Sequence, residues 1–240
     1  MPRFSVIVPA HNEEDYLAGC LASIDDAAIV AEGDVEVIVV ANRCTDATPW
    51  LAESLGAVVV EDESRNISAV RNAGARAASG EVLVTLDADS RMSPCAFVEV
   101  DRKLATGRYI GGGAAFTPER SSPGIATTLA LVKLCMLVTR LGGAMYWCHR
   151  DDFHAIGGFD ESLPMAEDVD FARRLRRHGK LTGRRFTNLT LAPVVTSCRK
   201  FDRFGDWHML TLVKNPAELR ASMRGTDTSF ADRYFYDFNG

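Results

Sequence analysis

Apolar and polar positions follow two alternating rhythms along residues 1–90. Short runs rich in Val, Ile and Leu at 4–8, 35–40, 57–60 and 81–86 read as buried strands. Between them the apolar residues fall three and four apart. Tyr16, Leu17, Cys20, Leu21 and Ile24 mark one face of a helix over 13–28, and Thr45-Asp46 caps a second that runs to Leu55 and stops at Gly56. The Ala- and Gly-rich stretch 67–79 predicts a third helix packed closely on the sheet, ended by Gly80. Strand, helix, strand in this order predicts βαβ units and a mostly parallel central sheet flanked by helices, an α/β fold of Rossmann-like type.

Beyond residue 90 the rhythm changes. A helix is expected over 94–105, a strand near 109–110 leading into Gly111, Gly112 and Gly113, and a strand over 144–148. Gly157-Gly158-Phe159-Asp160 reads as a tight turn, 165–178 as a helix, 184–195 as extended, and the polar remainder as helical. The segment 125–141 is apolar on most of its circumference, interrupted by Lys133 and Arg140. At about 1.5 Å per residue it falls short of a bilayer core, so it is expected to be buried, with a membrane surface as the other reading. No linker or repeat divides the chain, which predicts one domain over 1–240.

Composition changes this picture little: 47% apolar and 25% charged residues are ordinary for a globular chain. Charge excludes more. A net charge of −5 with no strongly basic stretch before the last third argues against a nucleic-acid partner. Six scattered cysteines without a Cys-x-x-Cys pair, and no secretory signal ahead of Phe4, suit reduced thiols and a cytoplasmic location. Neither a G-x-G-x-x-G nor a phosphate-loop motif occurs.

Two acidic stations carry the candidate chemistry. Asp87-Ala88-Asp89 directly follows the apolar run 81–86, so both carboxylates emerge at the carboxyl edge of the sheet, where open α/β sheets bind ligands. Paired oxygen ligands on a short turn suit Mg²⁺ or Mn²⁺ carrying a phosphorylated substrate, although capping of the next helix would also explain them. Glu167-Asp168 opens the helix after Pro164. Asp168 shares a stripe with Phe171, Ala172 and Leu175, while Asp170 lines up with Arg173, Arg174 and Arg177 on a solvated face. An acid at the inner end of such a helix suits a general base, or it simply stabilises the helix dipole.

Read in order, Val8-Pro9-Ala10-His11-Asn12-Glu13-Glu14, Val40 to Thr48, Arg71-Asn72-Ala73-Gly74, Asp87-Ala88-Asp89, Gly157-Gly158-Phe159-Asp160 and Glu167-Asp168 resemble the motifs of family 2 glycosyltransferases of the GT-A fold. The resemblance extends from Phe4 to about His178. It implies a metal-dependent enzyme that transfers a sugar from a nucleotide-diphosphate donor to an acceptor hydroxyl, with inversion. Pro9, Ala10, His11 and Glu13 would then line the nucleotide pocket, with Arg71 near the base or diphosphate. Asp87 would face the ribose or sugar, Asp89 and its neighbour Asp87 the divalent metal, and Ala88 the donor between them. Asp168 would deprotonate the acceptor, with Glu167 beside it. On this reading 1–90 is the nucleotide half, 91–200 a smaller mixed acceptor-side half, and 201–240 a helical extension.

Departures from the family pattern define the open points. The positions after the second strand are Ala41 and Asn42 rather than two acids, so Asn42 would read the base through an amide. Lys200-Phe201-Asp202-Arg203-Phe204 keeps the spacing of a late family motif without its chemistry, and the cluster Arg199, Lys200 and Arg203 is expected either near the donor diphosphate or on a solvated basic face. Gly112 and Trp147 are candidates for the sugar or acceptor side, against roles in a bend and in the core. His208 is a weak candidate for a further metal ligand. The apolar 125–141 helix hints at a lipid-linked acceptor and peripheral membrane contact. Two other functions stay open, a sugar-phosphate nucleotidyltransferase and a non-catalytic nucleotide-sugar sensor.

Overall fold

The structure, a computed structural model, describes residues 1–139 and 143–207, with side chains of α5 described as far as Leu134. The expected alternation holds through the first half: β1 (Phe4–Ala10), α1 (Glu14–Ala31), β2 (Val35–Asn42), α2 (Thr48–Ser54), β3 (Val58–Asp62), α3 (Ile67–Ala77) and β4 (Val82–Leu86). There follow β5 (Ser90–Arg91), α4 (Ala96–Leu104), β6 (Tyr109–Pro118), α5 (Pro123–Thr139), β7 (Met145–His149), α6 (Arg150–Ala155), α7 (Glu167–Leu181), β8 (Arg185–Thr196) and α8 (Arg199–Phe204). Two elements had no sequence signal. β5 has only two residues, and α6 is a six-residue polar turn of helix, both too short to show a period.

One eight-stranded sheet runs in the order β3-β2-β1-β4-β7-β6-β8-β5. β3, β2, β1 and β4 are parallel, while β7 joins β4 and β6 antiparallel. Chain order reverses between β1 and β4, because β2 and β3 leave β1 on one side and β4 lies on the other. That reversal parts the loops at the carboxyl ends of the strands and opens a crevice there.

Each face of the sheet has its own core. Leu17, Leu21 and Ile24 of α1 and Phe97 and Val100 of α4 cover one face with Phe4, Val8 and Val84, whereas Val70 of α3 and Phe171 and Leu175 of α7 cover the other with Ile7, Ile38 and Leu83. The close fit expected of the third helix is real. A Cβ at Gly74 would stand 2.5 Å from Ile7 Cγ2 and 2.9 Å from Val40 Cγ2, so only glycine lets α3 lie this near β1 and β2.

The burial expected of the apolar segment 125–141 is overturned for the side chains described. Ile125 and Thr128 are buried, but Leu131 and Leu134 are 49% and 57% exposed, and Lys133 is exposed. Ile125 and Thr128, with half-buried Leu129 and Val132, form a narrow inward stripe that leaves Ala126, Thr127, Ala130, Leu131, Lys133 and Leu134 on solvent. Among the described residues no helix is long and apolar enough to cross a membrane. Arg140, Leu141, His208 and the 208–240 part of the expected C-terminal extension lie outside the described residues.

Candidate active site

The crevice at the switch point is a cleft of about 450 Å³ whose walls come from the ends of β1, β2 and β4, from α3, and from the starts of α7 and α8. Pro9, Ala10, His11, Glu13, Asn42, Arg71, Asp87, Ala88, Asp89, Glu167, Asp168, Arg199 and Lys200 all line it. The two acidic stations, nearly eighty positions apart in the chain, thus open on one space. Pairing of β1 with both β2 and β4 brings the loops that follow these strands together, and packing of α7 against the same face delivers the second station.

Arg71 links the stations. It is buried on α3, with Nη2 donating to Asp87 Oδ1 at 2.9 Å and Nη1 donating to Glu167 Oε1, and its guanidinium lies 5.4 Å from the centre of the Phe159 ring. Burial alone would favour its neutral form, but the Asp87 and Glu167 carboxylates outweigh it and hold the guanidinium charged. Arg71 lines the cleft, as the sequence led one to expect, and the structure also makes it a strut between Asp87 and Glu167.

A second network closes the other wall. Arg199 donates through Nη1 and Nη2 to the two oxygens of buried Glu13 at 2.7 and 2.6 Å, and its Nε lies 3.0 Å from Asp89 Oδ2. Ser197 Oγ also donates to Asp89 Oδ2 at 3.0 Å. The planar guanidinium therefore holds α8 against two acids at once, a geometry that lysine cannot copy. Beside it, burial lowers the pKa of Lys200 although Asp89 and Asp87 pull it up, which marks a cation inside the cleft rather than on a solvated face.

Asp168 is the perturbed acid of the site. Burial first, then the charge of Glu167, push it up to about 6, against the pull of Arg71. Its Oδ1 accepts the N–H of Val169 at 2.7 Å, so the carboxylate is held by its own helix start. The stripe expected behind it is present, with Phe171, Ala172 and Leu175 all buried. On the other face Arg173 and Arg177 are exposed and Arg174 pairs with Asp170, as expected, while Arg174 also donates to the carbonyls of Ile156 and Gly158.

Several expectations are corrected. The Asn42 amide donates to the Asp62 and Ser64 carbonyls, both at 2.8 Å, so its donors pin the loop after β3 and do not read a base. Gly112 is wedged between strands, where a Cβ would come 1.6 Å from the Thr187 carbonyl oxygen, and contributes close packing in place of acceptor contact. Trp147 is 0% exposed, with Nε1 donating to the Gly113 carbonyl, and belongs to the core. Arg203 is exposed on α8 over the ring of Phe204, away from the cleft lining.

Arg43, Ile67, Val70, Pro164, Met165 and Ala166 complete the lining without having been singled out. One signal is structural. Asn12, Arg43 and Ala166 have positive φ of 51°, 50° and 60°, and each lies in or beside a loop of the cleft. Non-glycine residues rarely adopt that conformation, and they are concentrated where a loop must aim its neighbours. Ala166 in this state turns the chain so that Glu167 and Asp168 begin α7 facing the space.

Strand order, the crevice at the reversal and the acidic turn after β4 define a GT-A fold. Two solved structures share it: the Staphylococcus aureus protein TarS in complex with UDP-GlcNAc, with a TM-score of 0.64 at 20% identity over 98% of this chain and 71% of that one, and the mannosyltransferase PcManGT of Pyrobaculum calidifontis in complex with GDP-Man and Mn²⁺, with a TM-score of 0.65 at 20% identity over 89% and 64%. Residues 5–116 match the model of glycosyl transferase family 2. The glycosyltransferase AglE of Haloferax volcanii is 32% identical over 95 residues, which are 37% of this chain and 31% of AglE. The matched stretch thus spans about a third of that relative.

Proposed function

We propose that the chain transfers a sugar from a nucleotide-diphosphate donor to an acceptor hydroxyl with inversion, in a metal-dependent single displacement. The observation that carries this reading is the common cleft shared by Asp89 and Asp168. The loop from Pro9 to Glu13 and the pocket wall at Asn42 would hold the nucleoside, and the turn from Asp87 to Asp89 would lie along the diphosphate. PcManGT with GDP-Man and Mn²⁺, and TarS with UDP-GlcNAc, support the donor class.

The donor set fits a divalent metal brought in with the donor. Among the described residues no cluster of three or more metal-binding side chains exists, and Mg²⁺ or Mn²⁺ is commonly held by one or two carboxylates together with substrate phosphates. Asp89 and Asp87 are the carboxylates that would hold it, and their need for positive charge is visible in Arg199 and Arg71. When bound, the metal supplies countercharge to the departing diphosphate. Arg199 and Lys200 stand at the same wall and add positive charge there.

On the facing wall Asp168 takes the acceptor proton as the acceptor oxygen attacks the anomeric carbon opposite the leaving diphosphate. Such a base works best with a pKa not far below the working pH, and burial has moved Asp168 in that direction. The exposed Leu131 and Leu134 on α5 favour a lipid-linked acceptor and contact with the inner face of the membrane, in keeping with a cytoplasmic donor. Vesicles containing anionic lipid should then retain the protein on sedimentation, and Leu131→Asp/Leu134→Asp should release it; recovery of the unaltered protein in the supernatant would dismiss the membrane contact.

Thermal unfolding with UDP-GlcNAc or GDP-mannose, with and without Mn²⁺, tests the core of the proposal. A donor at about a hundred times its dissociation constant adds about 2.7 kcal/mol of apparent stability. That corresponds to an upward shift of about 5–10 °C for a domain of this size. Asp89→Asn should remove the Mn²⁺-dependent part of the shift. No shift with any nucleotide sugar, and no nucleoside diphosphate released, would leave the transferase reading without support.

A further inference from the structure

The hydroxyl of Tyr146 is buried with no hydrogen-bond partner among the described residues, although the side chain as a whole is only 5% exposed. A phenol confined this way loses its hydrogen bonds to water and recovers none, which disfavours the folded state. Folding gains nothing from that oxygen, since a phenylalanine would fill the same volume. Native structures place few such groups, and those few call for a reason.

Where the hydroxyl lies supplies the reason. Tyr146 is the register partner of Thr85 on β4, two residues before Asp87, and of Gly113 on β6. Its ring meets that of Phe171 edge to face at 5.8 Å, and Phe171 is one turn along α7 from Asp168. The ring therefore lies between the acidic turn after β4 and the start of α7, on the sheet face that carries Arg71. Burial first, then the charge of Asp168, push the phenol well above its ordinary range, so the hydroxyl keeps its proton and can only donate to an anion.

We propose that Tyr146 is a positioning residue for the reaction: its hydroxyl donates to the Asp168 carboxylate when that carboxylate turns from the Val169 N–H toward the acceptor. This inference rests on the role given to Asp168 above. The acceptor proton goes to Asp168, and Tyr146 neither gains nor loses one. With Asp168 bonded to the Val169 N–H, the hydroxyl has no partner among the described residues, and destabilisation of that arrangement is the consequence.

Tyr146→Phe separates this role from a structural one, because it removes one oxygen and keeps the ring. The ligand-free variant should melt at the same temperature as the parent or higher. With UDP-GlcNAc or GDP-mannose and Mn²⁺, release of nucleoside diphosphate should fall about 10- to 100-fold in kcat with little change in KM, as expected when a base is misplaced but the donor is held. A melting temperature several degrees lower means that the hydroxyl has a partner at rest, a buried water included, and overturns the proposal. So does an unchanged kcat. If the parent protein releases no nucleoside diphosphate from either donor, the transferase reading fails, and the melting comparison still decides whether the hydroxyl is unsatisfied.

Discussion

Asp168→Asn is expected to reduce sugar transfer by about a thousandfold or more while leaving donor affinity intact, because an amide cannot accept the acceptor proton and general-base assistance accounts for about 10²–10⁴ in rate. On the proposed function the donor is held at the opposite wall, at Asp87 and Asp89, so Mn²⁺-dependent thermal stabilisation by the donor should survive. The same substitution has an effect on folding with a fixed sign. Asp168 in the folded protein is pushed up to about 6, above the ordinary carboxylate value. Its contribution is favourable below the unfolded value and is lost as pH rises through the folded one. The Asn variant should therefore melt above the parent at about pH 8 and lose that advantage at about pH 4. Melts and nucleoside diphosphate release across pH check both halves; equal turnover by the two proteins removes Asp168 as the base.

Arg71→Met carries the second large effect. The guanidinium is buried between Glu167 and Asp87, with side-chain exposures of 11%, 12% and 50% in that order. Methionine keeps most of the volume but leaves Glu167 without its cation, and breaking a buried pair from one side costs about 3–5 kcal/mol. Because Asp87 is half exposed and recovers water, the lower end, about 3 kcal/mol, is expected, or about 6–12 °C in Tm for a domain of this size. Adding Glu167→Gln should restore much of the loss, since the stranded charge is then gone. A single variant that melts with the parent would show that Arg71 is not the strut between the two stations.

The part of the cleft at the ends of β1 and β4 was legible in the sequence because strands in a parallel sheet announce their own ends. An apolar run that stops at Leu86 must release Asp87 and Asp89 at the carboxyl edge, and the loop from His11 to Glu13 follows β1 in the same way. Asp168 could be assigned to the inner stripe of α7 because helical spacing is local geometry. Trp147 and Gly112 were ambiguous for the opposite reason. An aromatic or a glycine on a strand reports only its face, and β7 and β6 have neighbours on both edges whose identity comes from topology. The apolar pattern over 125–134, the described part of the segment, misled because hydrophobicity reports a tendency to leave water and does not name the surface that will cover it.

The order of apolar and polar positions by itself determined the βαβ succession, the acidic turn after β4 and the acid at the head of α7, since each depends on residues within a few positions of one another. Only the tertiary structure decided that Arg71 would bridge Asp87 to Glu167, that Arg199 would reach Glu13 across 186 positions, and that the Asn42 donors would turn inward. Those pairings are set by which strand lies beside which and by how deeply each charge is buried. Neither quantity has a period along the chain, so no local pattern can carry it.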